Sequence, residues 1–281
     1  MVIGIIEHMH STWRVLYHPP AQGAWNMAVD ESILESVLDR QSPPTLRLYA
    51  WQPACLSLGF SQPVSDVDCS SIASQGWELV RRPTGGRAIL HTDELTYSVC
   101  GLLNEPALQG TLLDSYFQIS RALQAALQEM GLETSADEKY TLPAGAHPKG
   151  AVCFEVPSNY EITAGGKKLI GSAQARRKDG LLQHGALPLV GDLGRITQAL
   201  TFPDEQSRLA AAERVRNRAA TVESLTGLQI EWMNAANAFE KAFSDTLGIH
   251  FNRGDLTEDE KNRARDLVAE KYANPVWTER I

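Results

Sequence analysis

The 281-residue chain lacks features that would place it in several large classes of proteins. No run of apolar residues reaches the roughly 18–20 that a membrane-spanning helix needs. No basic segment precedes the apolar residues at the N-terminus, so a secretory signal is not expected. The four cysteines include no CxxC pair, which argues against a zinc site or a disulfide framework and favours a reducing cytoplasm. Cys55 and Cys100 lie in apolar, strand-like runs and are expected to be buried.

Signatures of other enzyme classes are missing as well. No Gly-x-Ser-x-Gly segment indicates a serine hydrolase. Residues 145–150 have the glycine spacing of a P-loop, but alanine and valine follow where that loop requires lysine and serine or threonine. The net charge of −8 argues against a nucleic-acid-binding protein. Phosphate binding through a P-loop and bulk binding of nucleic acid are therefore not expected.

The hydrophobic pattern predicts an α+β fold, with mixed β-sheets flanked by helices and a helical C-terminal part. We expect one core over residues 1–200 and a helical part over residues 201–281 that packs on the same domain. The predicted helices span residues 25–38, 114–130, 231–247 and 257–272, the last of which opens with a capping box. The predicted strands span residues 45–49, 55–60, 77–82 and 88–99, and a hairpin joins residues 160–164 to 167–174.

The first informative segment is a strand, a glycine turn and a second strand at residues 81–91, RRPTGGRAILH. Paired glycines let a ligand approach the backbone closely, and neighbouring arginines attract anionic groups. The same composition is also typical of an ordinary tight hairpin. The residues alone leave both interpretations open.

The second informative segment, residues 153–184, contains a cysteine, a lysine and a histidine. Lys168 precedes the small residues of LIGSA, which leave room for a substrate. An ammonium group close to a thiol lowers the thiol pKa, so Lys168 next to Cys153 would favour a nucleophilic thiolate. Each residue also has a structural interpretation, with Cys153 and His184 as core residues and Lys168 as a solvent-facing hairpin residue.

Several motifs in one order resemble the lipoate-protein ligase A family over most of the chain. They comprise the family's first-helix motif, its first strands, the loop that wraps the acyl chain, and the lysine motif with the strand that follows it. The matching positions are residues 26–31, 46–51, 56–59, 81–86 with His91, 166–173, and His184-Gly185. The resemblance implies the biotin/lipoate protein ligase fold, with the catalytic core in residues 1–200.

Three features favour the LipM-type octanoyltransferases within this family. Cys153 lies fifteen residues before Lys168, at the place of the nucleophile in the LipM-type transferases. The ligases that this sequence resembles require no thiol at that place. In the LipB type the cysteine follows the lysine. Only 97 residues follow His184, which is short for a ligase with the usual accessory domain, although some ligases carry that domain on another chain.

The resemblance implies that Cys153 and Lys168 are catalytic. The thiolate would take octanoyl from octanoyl-acyl carrier protein, and a lysine of a lipoyl-domain protein, such as the glycine cleavage H protein, would then accept it. No metal, nucleotide or other cofactor is implied. The implied substrate-binding residues, with Ser172 and Ala173 at the thioester carbonyl, are Arg82, Thr84, Gly85, Gly86, His91, Ser172, Ala173 and His184.

Other functions remain open on the sequence. In an ATP-dependent lipoate ligase, Lys168 would hold an acyl-adenylate and Cys153 would be incidental. An amidotransferase would move the acyl group between two lipoyl domains through the same cysteine, and a non-catalytic acyl-binding protein would keep the fold without turnover. A basic cluster at Arg176, Arg177 and Lys178 is a hypothetical dock for acidic carrier and acceptor proteins, or simply a solvated surface.

Overall fold

A computed structural model describes residues 11–136 and 162–281 of the chain. Its strands are β1 Ser11–Tyr17, β2 Thr45–Tyr49, β3 Cys55–Leu58, β4 Glu78–Arg81, β5 Ile89–His91, β6 Glu94–Leu102, β7 Thr134–Ala136, β8 Ile162–Ala164, β9 Lys167–Arg177, β10 Gly180–Pro188 and β11 Ile249–Arg253. Its helices are α1 Gly23–Leu38, α2 Cys69–Ser74, α3 Leu112–Glu129, α4 Glu205–Arg218, α5 Val222–Thr226, α6 Trp232–Leu247, α7 Glu258–Leu267 and α8 Pro275–Thr278. Short 3₁₀ segments cover Val64–Asp66 and Leu193–Ala199, and a π-helical turn covers Val268–Tyr272.

Eight strands form one mixed sheet in the order β11-β1-β2-β6-β10-β9-β8-β7. Strand β1 is parallel to β2 and β11, and the other neighbouring pairs are antiparallel. Side chains alternate across a strand, so Leu46 and Leu48 pack in a core with α3 and α6, while Arg47 and Tyr49 point towards α1. The large sheet is therefore buried on both faces, and α1 covers the face on which a polar network forms.

A second sheet of three strands lies beside the large one, in the order β4-β3-β5. Its central strand is parallel to β4 and antiparallel to β5. Leu56, Leu58 and Ile89 pack in a separate core with Val215 of α4 and Ile196 of the 3₁₀ segment. The connection from β4 to β5, residues 82–88, is named the glycine loop below.

The structure confirms the α+β class and most of the predicted elements. Helix α3 begins with a capping box formed by Thr111 and Asp114, and α7 begins with one formed by Thr257 and Glu260. The hairpin of β8 and β9 turns at Gly165 and Gly166, whose φ angles of 58° and 75° only glycine adopts readily.

The prediction of one strand over residues 88–99 was wrong. The chain forms β5 in the small sheet, turns at residues 92–93 and enters the large sheet as β6. The turn is held by the carbonyl of Asp93, which accepts the backbone N–H of Leu189. Continuous apolar character cannot reveal this change of sheet, because both strands are buried. Strands β1 and β11 were not predicted either.

Residues beyond 200 add both helices and β11. Helix α6 packs on α3, and α7 packs on α1. Arg14 of β1 donates two hydrogen bonds to the carboxylate of Glu260 in α7, at 2.9 and 2.6 Å. Among the residues that the structure describes, no helix is long and apolar enough to cross a membrane.

Candidate active site

An inner cavity lies between the two sheets, where β9 and β10 approach the small sheet. Five of the substrate-binding residues expected from the sequence line it: Arg82, His91, Ser172, Ala173 and His184. The remaining lining residues are Met27, Tyr49, Trp51, Ser57, Ile89, Thr96, Gly171, Gly185 and Ala186. The fold therefore brings together side chains that are about a hundred positions apart in the sequence.

Two buried arginines, at the end of β4 and at the start of the glycine loop, bind backbone carbonyls. Arg81 donates to the backbone carbonyls of Gly59 and Gln62 at 2.8 and 2.6 Å, and twice to the carbonyl of Thr278 at 2.7 and 2.9 Å. Arg82 donates across the loop to the carbonyls of Gly85 and Arg87, at 2.9 and 2.7 Å, and to the carbonyl of Ser57 at 2.9 Å. Arg82 thus shapes the glycine loop through carbonyl oxygens, while Arg81 joins residues 59–62 to Thr278 near the C-terminus.

A polar chain crosses the wall that the large sheet contributes. Thr84 Oγ1 lies 2.6 Å from His184 Nε2, and His184 Nδ1 lies 3.4 Å from Asp30 Oδ2. Burial lowers the pKa of His184, so its ring is neutral at pH 7. Nδ1–H then donates to Asp30, and Nε2 accepts the hydroxyl hydrogen of Thr84. This chain ties the glycine loop to β10 and α1.

The hydrogen-bonded network continues from Asp30 to the buried guanidinium of Arg47. Arg47, which is 1% exposed, donates to Asp30 Oδ1 at 2.7 Å, and Tyr49 OH donates to Asp30 Oδ2 at 2.9 Å. Burial raises the pKa of Asp30, but the Arg47 charge and the hydrogen bond with His184 outweigh it, so the net pKa is lowered. Arg47 also donates to His18 Nδ1 at 2.8 Å. Burial and the adjacent Arg47 lower the pKa of His18 to about 4.

A second polar chain crosses the wall that the small sheet contributes. Glu94 Oε1 lies 2.6 Å from His91 Nδ1, and His91 Nε2 lies 2.8 Å from Ser57 Oγ. The His91 ring stacks on Trp51, with ring centroids 4.0 Å apart and an interplanar angle of 11°. Thr96 Oγ1 donates to the same Glu94 oxygen at 2.5 Å and accepts from Trp51 Nε1 at 2.7 Å. This imidazole is fixed on both ring nitrogens and on one face.

Ser172 and Ala173 reach the cavity from β9. The register places Ser172 opposite Gly185 and Ala173 opposite His184. Ser172 Oγ lies 2.7 Å from the hydroxyl oxygen of Tyr97, whose pKa is raised by burial to about 12. A Cβ atom at Gly185 would lie 2.6 Å from Ser172 Oγ, so a glycine is needed opposite the serine. The serine hydroxyl is therefore held against Tyr97, which packs in the core with α6, and the neighbouring Ala173 shares the face of His184 that lines the cavity.

Lys168 lies on β9, four residues before Ser172, and is 4% exposed. Its carbonyl accepts the N–H of Ala220 at 3.0 Å, which fixes the strand at this position. Thr163 of β8 lies opposite it. Burial at this level disagrees with the interpretation of Lys168 as a solvent-facing hairpin residue.

The cysteines differ sharply in their surroundings. Cys153 lies outside the described residues. Cys55 and Cys100 are buried as expected, and burial raises the pKa of both thiols well above the ordinary value. Cys69 is exposed at the first turn of α2. Burial therefore makes Cys55 and Cys100 poor nucleophiles near neutral pH.

The sequence analysis missed Asp30, Arg47, Ser57 and Glu94 as parts of the site. Asp30, Arg47 and Ser57 lie within segments that resemble the family's first helix and first strands, which is the signal that pointed towards them. Glu94 lies in no such segment, and its role depends on where β5 ends and β6 begins.

The expected basic cluster is divided by the structure. Arg176 donates to the carbonyls of Gly110 and Thr111, at 3.1 and 2.6 Å. Arg177 pairs with Glu31 and Glu35, each at 3.1 Å. Lys178 is exposed in the turn between β9 and β10. No group of three or more potential metal ligands occurs within residues 11–136 and 162–281.

A comparison with protein-family models finds the lipoyl protein ligase A/B catalytic domain over residues 22–244. The match includes the glycine loop, Lys168 and the residues of both polar networks around His184 and His91. His18 lies before the matched range. It also covers α1 and α6, so it extends across both sheets and most of the helices.

Curated relatives are similar to the chain over nearly its full length. An octanoyltransferase LipM of Carboxydothermus hydrogenoformans is 38% identical over 268 residues, which cover 95% of this chain and 98% of that protein. An octanoyltransferase LipM of Bacillus subtilis is 33% identical over 273 residues, which cover 95% of this chain and 97% of that protein.

Solved structures of lipoate ligases have a similar fold. The bipartite lipoate protein ligase of Thermoplasma acidophilum aligns with a TM-score of 0.80 and 26% identity, covering 96% of this chain and 97% of that one. A lipoate-protein ligase A bound with ATP aligns with a TM-score of 0.76 and 26% identity, covering 95% of this chain and 98% of that one.

Proposed function

The chain belongs to the lipoyl protein ligase A/B catalytic domain family, and on this basis we propose that it is an octanoyltransferase of lipoate biosynthesis. The donor is octanoyl-acyl carrier protein, and the acceptor is a lysine of a lipoyl-domain protein such as the glycine cleavage H protein. Cys153 carries the acyl group between them. The names and the near full-length similarity of the LipM relatives support the transferase over the other activities in this family.

The reaction proceeds in two acyl transfers. The Cys153 thiolate attacks the thioester carbonyl of the donor, the bond to the carrier sulfur breaks, and the carrier thiolate leaves and takes up a proton. The acceptor amine then attacks the Cys153 thioester, an amide bond forms, and the amine loses a proton as the Cys153 thiolate leaves. Lys168 stabilises that thiolate in both steps, and its burial strengthens the attraction between the two charges.

The observation that carries this proposal is that five of the eight expected substrate-binding residues line one inner cavity, whereas Thr84, Gly85 and Gly86 do not line it. The side chains of Met27, Ile89 and Ala186 offer apolar contacts for an acyl chain, and Ala173 lies on the same strand face as His184, where a thioester carbonyl would be held. Cys153 lies nine residues before β8, a length of chain that spans up to about 30 Å and so permits contact with Lys168.

The test is intact mass after mixing the purified protein with octanoyl-acyl carrier protein in the absence of ATP. We expect a gain of one octanoyl group that hydroxylamine removes. Cys153→Ala should show no adduct and no transfer, and Lys168→Ala should show a strongly reduced rate. Cys69→Ala is the matched control, because it removes an exposed thiol outside the cavity and should still form the adduct.

The second candidate function is an ATP-dependent lipoate ligase, which the fold of the ATP-bound lipoate-protein ligase A favours. In that case no adduct would form with octanoyl-acyl carrier protein. Transfer of free lipoate would require ATP and would persist in Cys153→Ala. Both results together would overturn the transferase proposal. An amidotransferase would instead form the Cys153 adduct from an octanoylated lipoyl domain and not from the carrier protein.

A further inference from the structure

A second cleft of about 320 Å³ opens to the surface beside the inner cavity. One side is formed by Pro83, which precedes Thr84 in the glycine loop, and another by Ala175, two residues beyond Ala173 on β9. The C-terminal segment closes the third side with Lys271 and Trp277. The cleft is therefore continuous in the chain with two walls of the candidate active site.

Charges around this cleft are arranged in layers. The Glu31 carboxylate lies inside, with 10% of its side chain exposed, and accepts hydrogen bonds from Lys271 at 2.6 Å and from Arg177 at 3.1 Å. Arg177 lies outside it, with 50% of its side chain exposed. A partner that approaches from solvent meets the arginine and lysine before it meets the carboxylate. Arg177 is thus the most exposed charge of a cluster in which it pairs with Glu31 and Glu35 and in which Lys271 pairs with Glu31, in a chain whose net charge is −8.

An aromatic platform extends the same surface. The guanidinium of Arg280 lies 3.8 Å from the ring centroid of Phe60 and 4.2 Å from that of Trp277. Arg280 also donates to the Phe60 carbonyl at 2.7 Å, and the ammonium of Lys271 lies 4.2 Å from the Trp277 centroid. Stacking holds these long side chains in place at the surface, which reduces the entropy lost when they contact a partner.

Resting on the proposed function, we infer that this cleft docks the acyl donor, namely an acidic carrier protein with its extended anionic arm. The arm ends in the thioester and carries a phosphate near the protein surface. Leu34, Leu182 and Pro83 offer apolar contacts for its chain, and Arg177, with Arg280 at the rim, offers charge for the phosphate and the acidic surface.

The direction of β9 and the sign of the charge both favour the donor over the acceptor. From Arg177 to Ala173 the strand covers four residues, roughly 13 Å, so a chain bound beside Arg177 points along β9 towards the inner cavity. The acceptor presents a lysine ammonium at its reactive end. Cations at the entrance of the cleft would repel that group.

This surface replaces the basic cluster that the sequence suggested. Arg176 is engaged with the carbonyls of Gly110 and Thr111 and lies partly buried. Arg176 still lines the cleft, and two cations about a hundred residues further along the chain are added: Lys271 in the lining and Arg280 stacked on Phe60 and Trp277. Arg177 belongs to both sets.

The experiment compares steady-state transfer by two double variants. Arg177→Gln/Arg280→Gln removes two outer cations and leaves Lys271 on the Glu31 carboxylate, so folding is retained. The matched control is Lys241→Gln/Arg253→Gln, which removes a lysine and an arginine from another surface cleft, on α6 and β11. Strand β11 lies five strand spacings from β9, roughly 24 Å.

Each enzyme is assayed with octanoyl-acyl carrier protein, with the neutral small donor octanoyl-N-acetylcysteamine, and over a range of acceptor concentrations. The cleft variant should raise the KM for the carrier protein about tenfold, with kcat and the other two KM values within about twofold. It should also weaken the dependence of the rate on salt, since fewer charges attract the carrier. The control double variant should leave all three KM values unchanged.

Three results would overturn the docking proposal. One is an unchanged KM for the carrier protein in the cleft variant. The second is a rise in the acceptor KM instead, which would make the cleft an acceptor dock. The third is an equal rise in the KM for the small neutral donor, which would show that the substitutions changed the inner cavity and not a docking surface. Absence of transfer from either thioester by the unmodified protein would overturn the proposed function and the dock together.

Discussion

The inner cavity has two walls from different sheets, and each wall holds a histidine between a carboxylate and a hydroxyl group. In the wall of His184, on β10 of the large sheet, the order is Asp30 of α1, His184 and Thr84 of the glycine loop. The carboxylate of that chain also carries a paired guanidinium, Arg47, and a second histidine, His18, lies beyond it. This wall therefore contains a permanent cation that is 1% exposed and depends on one buried anion.

In the wall of His91, on β5 of the small sheet, the order is Glu94 at the start of β6, His91 and Ser57 of β3. The donors to Glu94 among the described residues are the imidazole of His91 and the hydroxyl of Thr96. Stacking on Trp51 supplies much of the remaining support for the ring. The same sequence of functional groups is thus stabilised by charge in one wall and by packing in the other, and the two walls should respond differently to the same kind of substitution.

The largest expected effect comes from neutralising each carboxylate. Asp30→Asn leaves the Arg47 guanidinium buried without its anion, and we expect a loss of roughly 3–5 kcal/mol in the free energy of unfolding. Glu94→Gln keeps an acceptor for its donors and should lose about 1–2 kcal/mol. Urea unfolding of both variants measures the difference. Equal losses would mean that charge does not distinguish the two walls.

An intermediate effect is expected from adding one methyl group to each wall. The Cβ of Gly59→Ala would lie 1.9 Å from the backbone oxygen of Gly86, and that of Gly185→Ala 2.6 Å from Ser172 Oγ. Each should cost about 1–3 kcal/mol, with Gly59→Ala the larger because its backbone neighbour is closer, at 1.9 Å against 2.7 Å from Gly171 O at Gly185. At Gly85 an added Cβ meets nothing within 4 Å, so Gly85→Ala should change thermal stability little. A Gly59→Ala protein as stable as Gly85→Ala would show that the glycine loop is loosely packed.

The smallest expected effect is a pH dependence specific to the large-sheet wall. The folded-state pKa of His18 is lowered to about 4, below its ordinary value of 6.5. The unfolded chain therefore binds an extra proton in this range, and stability falls as the pH drops from 6.5 to 4. His18→Asn retains an acceptor for Arg47 and should reduce that fall by about 1 kcal/mol, since the side chain is 12% exposed and keeps some contact with solvent. An identical pH profile for both proteins would contradict the assignment.

Local sequence information was sufficient for much of the fold. Helix α3 with its capping box, and the two-residue turn at Gly165 and Gly166, follow from side-chain and backbone preferences that act over a few residues. The division of residues 88–99 into β5 and β6 did not follow, since the neighbouring sheet decides where the strand must end. The catalytic role of Cys153 is inferred from the sequence alone.

The sequence by itself determined which chemical groups the chain carries and their order: the glycine loop, the cysteine before the lysine, and the histidine after it. Only the tertiary structure decided which of these groups meet. Asp30 bonds to His184 across 154 residues, and Lys271 bonds to Glu31 across 240. The physical reason is that burial leaves a charged or polar group few partners, and close packing of distant segments selects among them.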